Sequence, residues 1–480
     1  MSAEVRVVAG VVQGRWESDV AVFRGIPYAA PPVGAGRFAA PRAVERWDGV
    51  RAALSYGPAA PQSSGNTEDD DWLTVNVWSP VLDRAAKLPV MVWIHGGAYV
   101  IGAASQPEFD GSRVAREGRV VLVSFNYRLG VEGFASIAGA PDNRGLLDQV
   151  AALEWVRDNI AGFGGDPGQV TVFGESAGGG SVAALLAMPR AAGLFRRAIA
   201  QSVPGTFFSP ELAADIAAAC AAELDLRPTV GDLAGVDPDL LVAAADAVTA
   251  GKADRWGPAG YRSVLFAPVV DGDVLPQTPW QALAAGAARE VTLLAGHTRD
   301  EQRLFTAMTG LLGQITPAAA AEALDILAPA PDGARRYRSA FPDAGPDELY
   351  ELVNSDWLFR MPSVRLADAH IAGGGRAFVY ELTWAAPELG ACHGLDIPLL
   401  FGNGPTLPLS AEPGSDAAAV SKQMRTAWTA FAAHGDPGWA AYDVAGHLTR
   451  IFDVPGAVMP YPESSSLEIW KDHPFAPLER

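Results

Sequence analysis

The stretch Val170-Thr-Val-Phe-Gly174-Glu-Ser176-Ala-Gly178-Gly-Gly-Ser181 decides how this 480-residue chain is to be read. Val170, Val172 and Phe173 are β-branched or aromatic and suit a buried strand, while the Ala and Gly that follow suit a closely packed helix. Gly174 and Gly178 flank Ser176 in the pattern G-x-S-x-G. A turn sharp enough to join strand to helix at that serine leaves room for hydrogen only on either side of it. The hydroxyl then stands at a helix N-terminus, whose partial positive charge favours a developing oxyanion. The stretch therefore predicts a nucleophile elbow. In a chain with 51 glycines the same letters also describe an ordinary glycine-rich turn, so the serine's partners have to be found elsewhere.

Working outward, residues 88–94 are apolar throughout, as a strand covered on both faces should be, and they end in His95-Gly96-Gly97-Ala98-Tyr99. Residues 120–125 form another buried strand, ending in Asn126-Tyr-Arg-Leu-Gly130. Residues 73–78 alternate as a strand, and 146–160 carry helical period. Strand and helix in this rhythm predict βαβ units and a parallel sheet, with the chemistry on loops beyond the strands' carboxyl ends. Further out, residues 4–12 suggest a strand. The segment 23–34 holds too much Pro and Gly for regular structure, and the acids at 68–71 close a solvated loop. Beyond Pro204 the chain turns Ala-rich. Ser209-Pro210, Thr278-Pro279 and Thr316-Pro317 each read as a helix start, since a hydroxyl caps free amides and Pro at the first position loses nothing. Strands are expected at 266–270, 291–295 and 377–382, and a last helix at 420–433.

Hydrophobic residues make up 49% of the chain and charged residues 19%, which fits a soluble protein with a large core. The formal charge of −19 disfavours phosphate backbones, so no nucleic-acid partner is expected. No stretch reaches the ~18 apolar residues of a membrane span, and the first residues do not resemble a secretion signal. Cys220 and Cys392 form neither a disulfide framework nor a metal cluster. A cytoplasmic protein, with neither metal nor organic cofactor, is the expectation.

A serine needs a base to take its proton, usually a histidine held by a carboxylate. Of seven histidines only His95 precedes Ser176. His393, in a loop after a strand and between Ala391 and Gly394, is the candidate base; His297 lies beside the acids Asp300 and Glu301. Glu301 is the candidate acid, with Asp300, Asp356 and Asp396 as rivals. Gly96-Gly97-Ala98, following a buried strand, can offer an oxyanion two amides unobstructed by side chains, and Ala177 a third.

Several ordered motifs together resemble the type-B carboxylesterases of the cholinesterase and carboxylesterase family, most of all bacterial esterases of the para-nitrobenzyl esterase kind. They include Phe23-Arg-Gly-Ile-Pro-Tyr-Ala29, Leu73-Thr-Val-Asn-Val-Trp-Ser-Pro80, Val92-Trp-Ile-His-Gly-Gly-Ala98, Asn126-Tyr-Arg-Leu-Gly130 and Asn143-Arg-Gly-Leu-Leu-Asp-Gln149. They continue with Phe163-Gly-Gly-Asp-Pro167, Gly174-Glu-Ser-Ala-Gly178, Thr298-Arg-Asp-Glu301, His393-Gly-Leu-Asp-Ile-Pro398 and Gly435-Asp-Pro437. The resemblance implies an α/β-hydrolase fold over residues 1–480 as a single domain. Its sheet would be mostly parallel, with helices on both faces and large helical insertions near 205–365 bordering the site. It implies a catalytic triad of Ser176, His393 and Glu301, an oxyanion hole of Gly97, Ala98 and Ala177, and a small-molecule ester as substrate. Glu175 and Ser202 are supporting candidates.

Departures are also visible. The two cysteines that often close a loop in the family fall at Ala60 and Trp72, and the glycine that often follows the acid is Gln302. An amidase or carbamate hydrolase using the same triad, and a non-catalytic binding module, are the alternatives. The chain is expected to be a monomer or small homo-oligomer.

Overall fold

A computed structural model describes residues 2–63, 70–251, 255–329, 331–403 and 414–480. Its strands are β1 (Ser2–Val7), β2 (Gly10–Glu17), β3 (Val20–Pro27), β4 (Val50–Ala52), β5 (Thr74–Ser79), β6 (Leu88–Ile94), β7 (Val121–Phe125), β8 (Gly165–Glu175), β9 (Arg197–Gln201), β10 (Thr292–Thr298), β11 (Arg376–Leu382), β12 (Leu448–Phe452) and β13 (Ala457–Pro460). They form one sheet in the order β1-β2-β3-β5-β7-β6-β8-β9-β10-β11-β12-β13, with β4 beside β2. The run β7-β6-β8-β9-β10-β11-β12 is parallel throughout, and both margins are antiparallel.

The parallel strands are apolar on both faces because both faces carry helices. Along β6, Val90, Val92 and Ile94 enter one core, while Met91 and Trp93 enter the other. The first core is covered by the helices Arg144–Asn159, Ala177–Ala187 and Met361–Ala372, the second by Ser112–Gly118 and Asp416–His434. Trp93 shows how tightly the second face is built: its ring lies 4.9 Å from Phe173, 5.2 Å from Phe401 and 5.3 Å from Phe109.

All three Ser/Thr-Pro helix starts form as expected. Ser209 accepts from the Leu212 amide, Thr316 from the Ala319 amide, and Thr278 exchanges hydrogen bonds reciprocally with Gln281. Other expectations need correction. Residues 4–12 are not one strand but the two arms of the β1–β2 hairpin. The start of the Pro- and Gly-rich segment 23–34 lies in β3. Gly25 sits where pairing with β5 shifts register between Phe23 and Ile26, and Pro27 ends the strand, where a missing donor costs nothing. Residues 266–270 form no strand. Pro268 has no amide to donate, and only Val269 bridges to Phe208. Of the acids at 68–71, residues 68 and 69 lie outside the described residues, and Asp71 bonds Arg51 at 2.9 Å. Among the described residues no helix is long and apolar enough to cross a membrane.

One buried ion pair ties the loop after β7 to the helix Arg144–Asn159. Arg128 donates from Nε to Asp148 Oδ2 at 2.8 Å and from Nη2 to Oδ1 at 2.7 Å, with both side chains fully buried. Asp148→Ala would strand the guanidinium and is expected to cost about 3–5 kcal/mol. Chemical denaturation checks this; a loss below about 1 kcal/mol would contradict a structural role for the pair.

Candidate active site

Ser176 follows the last residue of β8 and caps the helix Ala177–Ala187, with φ 58° and ψ −125°. That strained turn explains the two flanking glycines. A Cβ at Gly178 would stand 2.0 Å from the Ile94 carbonyl oxygen, and one at Gly174 only 2.6 Å from the Gly178 backbone. Ser176 is held by its own amide, which donates to the Gln201 carbonyl at 3.0 Å, and its side chain is half-buried rather than sealed.

The loop after β6 faces this turn. Gly97 has φ 113°, and Ala98 and Tyr99 also take positive φ. The turn is clamped by hydrogen bonds from the Val100 and Ile101 amides to the Gly97 carbonyl, each 3.0 Å. His95, buried beneath it, stacks on Tyr127 at 4.5 Å and bonds the Gly96 carbonyl at 2.8 Å. Burial pushes the His95 imidazole down to about 4, so it is a neutral brace. Among the described residues, no acceptor takes the amides of Gly97, Ala98 or Ala177.

Glu301 follows β10 and His393 lies in the loop after β11, both beyond carboxyl ends of parallel strands. His393 Nδ1 donates to Glu301 Oε2 at 2.5 Å. The other carboxylate oxygen of Glu301 accepts from the Ser202 hydroxyl at 2.6 Å and the Thr298 amide at 2.9 Å. Burial alone would raise the Glu301 carboxyl, but the His393 charge and these donors hold it below the usual range, so it stays ionised. The rival acids are committed elsewhere. Asp300 pairs with Arg299 at 2.9 Å, Asp356 with Arg360 at 3.0 Å, and Asp396 accepts from Gln201 and Tyr380. His297 bonds the Thr298 carbonyl and the Tyr461 hydroxyl, each at 2.9 Å, and is a buried neutral histidine.

On its other edge, His393 Nε2 lies 3.1 Å from Glu175 Oε1, the residue before the elbow serine. Among the described residues no hydrogen bond joins Nε2 to Ser176 Oγ in this arrangement. Burial lowers the imidazole's affinity for a proton, but the Glu175 and Glu301 carboxylates outweigh it and lift His393 to about 9. Burial pushes the Glu175 carboxyl above the ordinary glutamate range, and the charge on His393 opposes that rise.

Two aromatic rings that sequence reading missed hold the His393 ring. Phe359 stacks on it at 4.2 Å with 23° between planes, and Phe305 lies 5.2 Å away. Phe359 comes from a π-helical turn, Asp356–Arg360, inserted between two α-helices. Such a turn leaves no periodic signature in the sequence, though π-bulges favour functional sites. Beside the glycine turn, Glu175 and His393 lies a cleft of about 330 Å³. Among the described residues, no cluster of side chains is fit to hold a metal ion.

A parallel sheet clothed on both faces, with an elbow serine, an acid and a histidine on the carboxyl-end loops of β8, β10 and β11, places the molecule in the α/β-hydrolase class. The family model described as the carboxylesterase family matches residues 1–324 and 337–448. The chain belongs to the carboxylesterase family and is a carboxylic ester hydrolase. It is 39% identical to the para-nitrobenzyl esterase of Bacillus subtilis (strain 168), over 95% of this chain and 96% of that one. It is 36% identical to the probable N-octanoylanthranilate hydrolase of Rhodococcus erythropolis, over 92% and 95% of the two chains. Its structure is similar to that of a carboxylesterase from Geobacillus stearothermophilus, with a TM-score of 0.88, 36% identity, and 97% and 99% of the two chains covered.

Proposed function

We propose that the chain cleaves carboxylic esters through an acyl-enzyme on Ser176, with His393 as base and then acid and Glu301 holding it. The observation that carries this is the 2.5 Å bond from His393 Nδ1 to an ionised, fully buried Glu301, which leaves Nε2 as the ring's reactive edge beside the elbow.

Nε2 takes the Ser176 proton as Oγ attacks the carbonyl carbon. The carbonyl electrons move to oxygen, where the free amides of Gly97, Ala98 and Ala177 receive them. Collapse expels the alkoxide, which leaves with the proton from Nε2. Water then attacks the acyl-serine by the same route and releases the acid. For the first step Nε2 must close on Ser176 Oγ; catalytic hydrogen bonds are often loose in unliganded sites and tighten with substrate. Ser202 acts through Glu301, fixing the carboxylate's orientation. Buried free thiols at Cys220 and Cys392 support a reducing, cytoplasmic setting.

The pH profile tests the base. Only neutral His393 can accept the serine proton, so kcat/KM should rise with pH. Two neighbouring carboxylates stabilise the imidazolium, so the rise should extend above the ordinary histidine range, toward about 9. Glu175→Gln removes one of them, destabilises the imidazolium and should move that rise to lower pH. A flat profile, or an unmoved rise in the variant, would contradict these roles.

A further inference from the structure

A second cavity, of about 470 Å³, opens between the helix Asp416–His434 and β12, on the sheet face opposite the elbow helix Ala177–Ala187. It shares no lining residue with the cleft at His393. Its volume falls within the ~300–1,000 Å³ usual for small-molecule sites. Trp439, Phe452, Ala427 and Pro437 make much of its wall apolar. Among its described lining residues the charged ones are Lys422 and Arg450, with no Asp or Glu, in a chain that has 55 acidic and 36 basic residues. Neither cation makes an ion pair with any described residue. Asp436 and Asp453, which flank the lining residues in sequence, are engaged elsewhere: Asp436 accepts from the Gly438 amide at 2.9 Å, and Asp453 from the Thr383 hydroxyl at 2.7 Å.

Arg450 is a fixed donor. Its Nη2 donates to Gln423 Oε1 at 2.8 Å, and Gln423 is itself tied to the Asp453 carbonyl at 3.3 Å. The guanidinium lies over the Phe452 ring, 5.2 Å from its centre. A Cβ at Gly456 would stand 2.6 Å from Nη2, so the turn between β12 and β13 closes on it. No described residue accepts from Nη1 or Nε. Partial burial holds the Arg450 guanidinium below its usual range, and no carboxylate offsets that cost. Trp439 is fixed as well, nearly perpendicular to Phe378 at 6.2 Å and to Phe452 at 5.9 Å, and it gives the cavity a rigid indole wall.

The class of ligand follows from these groups. A planar guanidinium with unused donors matches the two oxygens of a carboxylate. Lys422 brings a second positive charge on a flexible stem, and the indole wall suits a flat apolar body. We infer that this cavity is a second ligand site, separate from the catalytic cleft, which takes small aromatic carboxylates in preference to their neutral isosteres. The inference does not depend on the proposed roles of Ser176, His393 and Glu301.

The test is equilibrium dialysis of the whole chain against 2-naphthoate and against 2-naphthamide, which differ in charge but hardly in shape. A protein of net charge −19 disfavours the anion over most of its surface, so tighter binding of the naphthoate marks a site of opposite sign. One-to-one binding is expected, tighter for the carboxylate than for the amide. Lys422→Gln and Arg450→Gln should each weaken the naphthoate by about two- to five-fold, the worth of a partly solvated ion pair, and barely move the naphthamide. Both variants should keep their esterase activity. Arg335→Gln removes the same charge from an exposed helical position and should change neither affinity. Should Arg450→Gln not fold, Lys422→Glu, on the exposed side of its helix, carries the test and should weaken the naphthoate further than Lys422→Gln does. The inference is overturned by an absence of saturable binding, by naphthamide binding as tightly as naphthoate, or by a naphthoate affinity unmoved in the folded Lys422 variants.

Discussion

Ser176→Ala is expected to lower kcat by on the order of 10⁴-fold or more while the protein stays folded. The size follows from the work asked of one oxygen atom. Without Oγ there is no acyl-enzyme, and the oxyanion amides and His393 can at best assist direct attack by water. The intact fold follows from the geometry. The residue's amide is fixed to Gln201 and its side chain is half-buried, so removing the hydroxyl opens no sealed cavity. Alanine meets the same φ of 58° and gains no new strain from it. Steady-state rates on an activated ester, with near-identical thermal melting of the two proteins, check this. Hydrolysis by the folded variant above about 1% of the original rate would contradict it.

Glu301→Gln is expected to cost about 10³- to 10⁴-fold, although the side chain keeps its shape. The reason is the set of hydrogen bonds around it. Oε1 accepts from the Thr298 amide and the Ser202 hydroxyl, so the amide oxygen of a glutamine stays on that side. Its NH₂ then faces His393 Nδ1, which must accept. That tautomer puts the proton on Nε2, the nitrogen that has to take one from Ser176. Glu301→Asp keeps the charge and should retain more activity than the amide, a distinction a purely structural role would not produce. A loss below about ten-fold in Glu301→Gln would mean that another group orients His393.

Much of this site is legible in the sequence because its chemistry sits in contiguous motifs. The elbow, the glycine turn and the loops carrying Glu301 and His393 each need particular residue types at fixed spacing: glycine where backbone meets backbone, and a carboxylate and imidazole just past a strand. The parallel sheet is legible for a related reason, since β6 and β7 are buried on both faces and lack polar alternation. What sequence reading missed was set by distant partners. The segment in β3 looked unstructured, yet a bulge at Gly25 lets it pair with β5. Residues 266–270 looked like a strand, yet Pro268 breaks the ladder. Phe359 stacks on His393 from a π-helical turn that also holds the buried pair Asp356–Arg360, and neither leaves a periodic pattern to read.

Catalysis through an acyl-enzyme turns on which atom forms the bond to substrate. A fluorophosphonate or similar serine-directed phosphonate, followed by proteolysis and peptide mass spectrometry, reads that atom out directly. The predicted result is one adduct, on the peptide carrying Gly174-Glu-Ser176-Ala-Gly178, formed in step with loss of esterase activity and absent from Ser176→Ala. Inactivation with the label on another residue, or full labelling of the Ser176→Ala protein, would contradict Ser176 as the nucleophile.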